Sequence, residues 1–131
     1  MRINIVSVFV DDQEHALGFY RDTLGFEVSK DIVVDEAGNR WLAVVSAENP
    51  QGPELLLEPA AHPAARDFRE ALYNDGIPFT QFDVDSVEEE YRRLSGEGVR
   101  FTQGPMPVPG AVIAVFDDTC GNLIQIVEPT A

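Results

Sequence analysis

Few side chains in this sequence pair a reactive type with a useful spacing. The two histidines are His15 and His62. His15 closes the polar run DDQEH and reads as an exposed or helix-capping residue; His62 precedes Pro63 and reads as a loop residue. Cys120, the single cysteine, lies in DDTCGN. A thiol becomes a nucleophile when a neighbouring base or cation stabilises its thiolate, and nothing in the spacing places either histidine beside Cys120. It reads as a small residue tolerated in a tight turn. Glu54 and Glu58 flank Leu55–Leu57, and Glu58 and Glu128 each precede a proline. Both read as strand-end markers, with a relocated carboxylate metal site as the alternative. Asp83 sits in an apolar strand, where a carboxylate suits a cationic ligand or proton transfer; a solvent-reaching strand-end residue is the simpler reading. There is no glycine-rich phosphate loop, paired-cysteine zinc pattern or nucleophile-elbow serine.

The elements that must position these residues are legible from periodicity. Val6, Val8 and Val10 alternate with Ser7 and Phe9, as in a two-faced strand. Asp11 is the expected helix N-cap, with Glu14 completing a capping box. Ala16, Leu17, Tyr20 and Leu24 form the helix stripe, and Gly25 is its left-handed exit. Strands follow from Phe26 and over Lys30–Asp35, then a hairpin turn at 36–39 and a return strand, Arg40–Ser46. A further turn over 48–53 leads to the short strand Leu55–Leu57. This half is βαβββ.

Pro63–Tyr73 has no counterpart near the start of the chain. Its apolar stripe Ala65, Phe68, Leu72 and Tyr73 predicts a connector helix, packed on a sheet or lying at a subunit contact. The pattern then replays. Phe79–Val84 is a strand, Asp85 the cap with Glu88 its box partner, and Val87, Tyr91 and Leu94 the stripe, with Gly96 or Gly98 the exit. Val99–Phe101 starts a strand, followed by a Pro/Gly-rich loop over 104–110. That loop, carrying Met106, is either a lid or a plain hairpin connection. Ala111–Phe116 and Leu123–Val127 are the closing strands. LLLEP over 55–59 and QIVEP over 125–129 lie seventy positions apart, so the repeat is read as real. Three segments result: module one over about 1–59, the connector over about 60–76, and module two over about 77–131.

The chain as a whole bounds the partners. Its 131 residues, 44% hydrophobic, are enough for one domain with a core. Twenty-three acidic residues against nine basic ones give a formal charge of −14, which repels phosphate backbones and anionic lipid. Neither nucleic acid nor membrane is an expected partner. Solubility accounts for the charge; attraction of a cationic small molecule is the sharper alternative. One cysteine forms no internal disulfide, and Asp11 and Asp12 interrupt any signal-peptide core. Cytoplasmic residence is expected.

VFVDDQEHALGFYRDTLGF resembles the opening module of the vicinal oxygen chelate superfamily, which covers glyoxalase I, bleomycin-resistance proteins and extradiol dioxygenases. FDDTCGNLIQIVEP is similar to its closing strand, usually Asp-Pro-x-Gly-Asn before an apolar run. The resemblance implies an α+β fold in which two βαβββ modules form a curved mixed sheet around a cup, commonly in homodimers. It also implies a divalent metal held by His, Glu or Gln on the first and last strand of each module. Here those positions fall on Ile5, Phe79, Gln125 and either Leu55 or Leu56. Hydrocarbon offers a divalent ion no lone pair, so no metal cofactor is expected at that place, and any activity that needs one is put in doubt.

If Ile5 faces the cup, strand parity adds Ser7 and Phe9, then Phe79, Gln81 and Asp83, with Gln125 from the last strand. Val6, Val8 and Val10 then pack beneath the first helix. Trp41 either joins the cup or packs in the core. Apolar walls with sparse polar groups suit a small molecule. The expectation is metal-independent binding, similar in logic to the bleomycin-resistance proteins, which sequester a cationic drug in clefts shared by a dimer. The alternatives are a lyase, isomerase or dioxygenase with relocated ligands, and a non-catalytic structural or regulatory dimer.

Overall fold

The computed structural model describes residues 1–130 and falls into two compact units, Met1–Arg66 and Asp67–Ala131. Unit one begins with β1 (Ile5–Val10), then α1 (Gln13–Leu17), which continues as a π-helical segment, Gly18–Thr23. The helix starts one residue later than expected. Asp12, not Asp11, is the N-cap, its Oδ1 accepting the His15 N–H at 2.8 Å. Glu14 does not close a capping box; its carboxylate reaches Arg40 at 2.6 Å. Gly25, at φ 89°, is the expected left-handed exit.

Strands β2 (Glu27–Val33), β3 (Arg40–Val45) and β4 (Glu54–Pro59) complete the unit, with sheet order β1-β4-β3-β2. β1 runs parallel to β4 and the other pairs are antiparallel. The two strand pieces expected between Phe26 and Asp35 are one strand, interrupted by a register shift between Val28 and Lys30. Helix and sheet enclose Val8, Val10, Ala16, Leu17, Tyr20, Leu42, Val44 and Leu57, all at most 4% exposed. Val6 is the exception to the expected burial: it is half exposed.

The connector is α2 (Pro63–Asn74). Its buried residue is Arg69, whereas Phe68 of the expected apolar stripe is 55% exposed. Arg69 Nη1 donates to the Cys120 carbonyl at 3.1 Å. Its guanidinium lies over Gly121, where a Cβ would come within 2.8 Å of Cζ. Gly121 also has φ 99°, so glycine is required there twice over. Asp118, fully buried, organises the same turn by accepting the Cys120 and Asn122 N–H groups at 2.8 and 2.9 Å and the Asn122 side-chain amide at 2.9 Å.

Unit two repeats the topology with β5 (Thr80–Asp83), α3 (Val87–Gly96), β6 (Phe101–Val108), β7 (Ala111–Asp117) and β8 (Leu123–Pro129), in order β5-β8-β7-β6. The α3 N-cap is Ser86, not Asp85; its Oγ accepts the Glu89 N–H at 3.2 Å, and Glu88 closes no capping box but pairs with Arg92 at 3.2 Å. The Pro/Gly-rich stretch is no lid: 104–108 belong to β6, an edge strand, and Pro109–Gly110 are the plain hairpin turn to β7. On the open side of an edge strand the N–H groups that Pro105 and Pro107 lack need no partner; register shifts accommodate Gly104–Pro105. Tyr91 of α3 meets Phe101 edge to face with centroids 4.8 Å apart, and Phe101 meets Phe116 at a tilt with centroids 5.7 Å apart. Among the described residues no helix is long and apolar enough to cross a membrane.

Helix α2 is tied to β7 by a small polar cluster in which the Tyr73 hydroxyl and Arg100 both donate to Asp117 Oδ2, Arg100 at 3.0 Å. Burial pushes the Asp117 carboxyl up, but the hydrogen bonds from Tyr73, the Thr119 N–H and Arg100 outweigh it and hold the group below its ordinary value. A carboxyl depressed on folding adds stability that is complete above the unfolded value of about 3.9 and is lost as pH falls through the folded one. Asp117→Asn should therefore lower stability at neutral pH and flatten its decline below about pH 4, read from urea unfolding midpoints across a pH series.

Candidate functional site

The alternation of β1 divides unit one into two sheet faces. Ile5, Ser7 and Phe9 lie opposite Glu54, Leu56 and Glu58 on β4, and Ala43 on β3 stands opposite Leu56. Two residues from Ala43, Trp41 shares that face, with Ile32 beside it on β2. The face beneath the helix is sealed. This one is open in part: Trp41 is 42% and Ile32 56% exposed, while Ala43 and Leu56 are buried.

A hollow of about 600 Å³ lies on the open face, lined by Phe9, Trp41, Leu56 and Glu58, by Val34, Asn39 and Arg40 at the β2–β3 end, and by Pro59, Ala61, His62 and Ala65. Its size falls within the range of small-molecule pockets, roughly 300–1,000 Å³. Arg40 lines the rim, but its guanidinium is bound by Asp31 at 2.7 Å and Glu14 at 2.6 Å. Hydrogen bonds to those two carboxylates raise its pKa further above the ordinary guanidinium value, and they hold Asp31 below the usual carboxylate range. Towards the other end of the open face Glu54 accepts from Lys30 and Ser29, each at 2.7 Å, and these bonds lower its pKa. Glu58 has no ion-pair partner among the described residues.

Unit two carries its own hollow, about 380 Å³, lined by Pro78, Phe79, Thr80, Gln81 and Gln125. Gln81 and Gln125 are register partners on β5 and β8, and the Gln125 amide donates to Gln81 Oε1 at 3.0 Å. This surface is aromatic and neutral.

The structure thus brings Phe9 and Trp41 together in one hollow and Phe79, Gln81 and Gln125 in the other. Ile5 and Ser7 share the open face of Phe9 but line neither hollow, and Asp83 is exposed and outside both. Sequence reasoning allowed Glu58 to lean towards the cup but preferred a strand-end marker, because the Glu-Pro signatures made it the counterpart of Glu128. The strands show otherwise. Phe9 pairs with Glu58 and its repeat counterpart Asp83 pairs with Val127, so the last strands correspond with an offset one shorter than the signatures suggest. Glu128 turns to the covered face and accepts the Val87 N–H at 2.9 Å. The signal for Glu58 was available: it stands two residues beyond Leu56 and so shares its face.

The same register settles which leucine corresponds to Gln125: it is Leu56. The positions where relatives would hold a divalent ion are therefore Ile5 and Leu56 in unit one, and Phe79 and Gln125 in unit two. Three offer only hydrocarbon, and the fourth is a neutral amide already bonded to Gln81. These side chains do not fit a divalent cation. Among the described residues no three His, Cys, Asp or Glu side chains gather into an alternative cluster.

Comparison with known proteins agrees with this architecture. Residues 2–126 match the family model described as the Glyoxalase/Bleomycin resistance protein/Dioxygenase superfamily. The uncharacterized protein YurT of Bacillus subtilis (strain 168) is 46% identical over 128 residues, covering 98% of this chain and 99% of YurT. The crystal structure of UcmS2 is similar at 32% identity and TM-score 0.83, covering 98% of both chains. TnmS3, an antibiotic binding protein from Streptomyces sp. CB03234, is 28% identical with TM-score 0.78, covering 99% of this chain and 97% of its own. With twofold βαβββ topology, matching first and last strands and a family model spanning nearly its whole length, the chain belongs to the glyoxalase/bleomycin resistance protein/dioxygenase superfamily.

Proposed function

We propose that the protein binds a small organic molecule with a flat apolar body and a positive charge in the hollow of unit one, without a metal ion. The carrying observation is Glu58, a carboxylate without an ion-pair partner among the described residues, set among Phe9, Trp41 and Leu56. Aromatic faces attract cations through their ring quadrupoles, by about 0.5–2 kcal/mol depending on desolvation, and a carboxylate at the edge of such a wall adds a charge-assisted partner. The net charge of −14 raises the local concentration of cations around this site. Likeness to TnmS3, an antibiotic binding protein, supports binding as the role of the hollow.

N-Methylacridinium and acridine, the latter held at a pH where its ring nitrogen is unprotonated, differ in charge and hardly in shape. Calorimetry should find the cation bound about tenfold more tightly at low salt, a gap that narrows at high salt. Glu58→Gln should abolish the preference, at a loss of about 1–2 kcal/mol for the cation alone. Equal affinity for both molecules, or an unchanged preference in Glu58→Gln, would sink the charge assignment.

Metal independence is part of the same reading. Protein purified without chelator and titrated with Zn, Ni, Mn or Fe(II) should show no stoichiometric binding by elemental analysis. One equivalent of firmly held metal would instead favour a lyase, isomerase or dioxygenase with relocated ligands.

A second observation concerns assembly. Strand β2 is a sheet edge exposed along its whole length, with Ile32 and Val33 at 56% and 65% and neighbouring Val34 at 58%. Natural edge strands are normally covered or charged; β2 carries Glu27, Lys30 and Asp31 in its first part, but the run Ile32–Val34 at its end is apolar and exposed and needs a cover. We assign that cover to a second copy of the chain. Sedimentation should give a dimer, and Ile32→Lys with Val33→Lys should shift it to monomer; a native monomer at micromolar concentration would refute the assignment.

A further inference from the structure

We infer that Gln13 is the positioning residue that holds the unit-one hollow open, by standing in for the ladder that β3 and β4 do not complete. The inference rests on the binding role proposed for that hollow.

Strands β3 and β4 pair only at Ala43–Leu56 and Val44–Leu55. Both strands run on: β4 pairs with β1 as far as Pro59, and β3 pairs with β2 back to Arg40. Continued in register, the ladder would bring Leu42 opposite Leu57, Trp41 opposite Glu58, and Arg40 opposite Pro59. The strands part instead, so Trp41 and Glu58, which a closed ladder would press together as cross-strand neighbours, become opposite walls of the hollow.

Parting two strands leaves backbone groups with no partner, which buried structure does not tolerate. The Gln13 side chain supplies the partners. Its Nε2 donates to the Arg40 carbonyl at 2.7 Å and to the Leu57 carbonyl at 2.8 Å, and its Oε1 accepts the Arg40 N–H at 3.0 Å. One amide therefore bridges both strands with three bonds, in the antiparallel sense of a backbone amide. The opposing residue makes the device necessary: Pro59 has no N–H to give the Arg40 carbonyl even if the strands closed. Glutamine also fits the chemistry, since the site asks for two donors and one acceptor from one terminal group. Gln13 is the first residue of α1, fixed by the Asp12 cap, so the wedge sits at the end of an anchored element. The Arg40 side chain, bound by Asp31 and Glu14, secures the same strand end from the covered side.

The test uses the full chain in three forms. Gln13→Met keeps the length and removes all three bonds; Gln13→Glu keeps the acceptor for the Arg40 N–H but has no donor for the two carbonyls. Leu94→Val, in the core of unit two, is a destabilised control that leaves Gln13 intact. Trp41 is the sole tryptophan and lines the hollow, so its acrylamide quenching reports the opening directly. Hydrogen exchange at the Arg40 amide reports the bridge. Gln13→Met should change Trp41 quenching and speed Arg40 exchange by about tenfold or more, Gln13→Glu should keep part of the Arg40 protection, and Leu94→Val should alter neither at native conditions. N-Methylacridinium affinity should fall about tenfold in Gln13→Met. Unchanged quenching and Arg40 exchange in Gln13→Met, or the same changes in Leu94→Val, would overturn the role given to Gln13. If N-methylacridinium fails to bind the native chain, the ligand assignment falls, while quenching and exchange still decide whether Gln13 holds the hollow open.

Discussion

A four-stranded sheet has two faces, and each unit here supplies one helix of its own βαβββ repeat to cover them. That mismatch governs everything else. The helix of unit one seals the side carrying Val8, Val10, Leu42, Val44 and Leu57, where burial is worth about 25 cal/mol per Å² of apolar surface. The other side keeps Phe9, Ile32 and Trp41, large side chains that the helix of the repeat does not cover and that only the first turn of α2, at Ala65, approaches. A protein that only needed to fold would carry polar residues there, as the solvated face of an antiparallel sheet usually does. Apolar residues on an uncovered face are held against the cost of exposing them, and the hollow and the β2 edge are what that face offers in return.

The electrostatics of the hollow follow from which side each charge is fixed on. Arg40 belongs to β3, one residue from Trp41, and could have neutralised Glu58. Strand alternation sends it to the covered face, and Asp31 and Glu14 hold it there with bonds of 2.7 and 2.6 Å. Lys30, on the open face, is taken by Glu54. Of the two glutamates that β4 turns to this side, one is neutralised and one is left beside an aromatic wall.

Much of the architecture was legible in the sequence because it rests on local chemistry. Alternating valines, helix caps and the glycine exits identify two βαβββ repeats, and their order is the order observed. The misses share a physical cause: each depended on a non-local partner. Asp11 and Asp12 are equally good caps by type, and the strand before them decides which one leaves the sheet. Three prolines in ten residues suggest a loop until the stretch is known to be an edge, where missing N–H groups cost nothing. Phe68 looks like the anchor of α2, but the anchor is Arg69, because Gly121 and the Cys120 carbonyl across the fold accept a guanidinium. At the candidate site, parity put Phe9, Phe79 and Gln81 on the strand faces that carry the hollows, but it put Ile5, Ser7 and Asp83 there as well, which line neither. Trp41 stood open between cup and core, and Gln125 came from the resemblance. Glu58 was read as a strand-end marker, because identical Glu-Pro signatures concealed a one-residue difference in register.

That difference says what duplication has made of the two halves. First strand and helix correspond at a spacing of seventy-four residues, from the Asp12 cap to the Ser86 cap, and last strand at sixty-nine, from Glu54 to Leu123. The segments between have therefore changed length by five residues while both ends kept their pairing. A shift of odd length in a strand exchanges its faces, yet parity on β4 and β8 is intact, so the change was absorbed in the turns and at the bulges of β2 and β6. What altered is the chemistry on a conserved frame: Glu58 beside an aromatic ring in one unit stands where Val127 does in the other, and Ser7 where Gln81 bonds to Gln125. Two surfaces built on one topology thus present a carboxylate with aromatic walls and a neutral amide pair. A single ligand would not meet the same chemistry at both, since the charged wall belongs to unit one and the neutral amide pair to unit two.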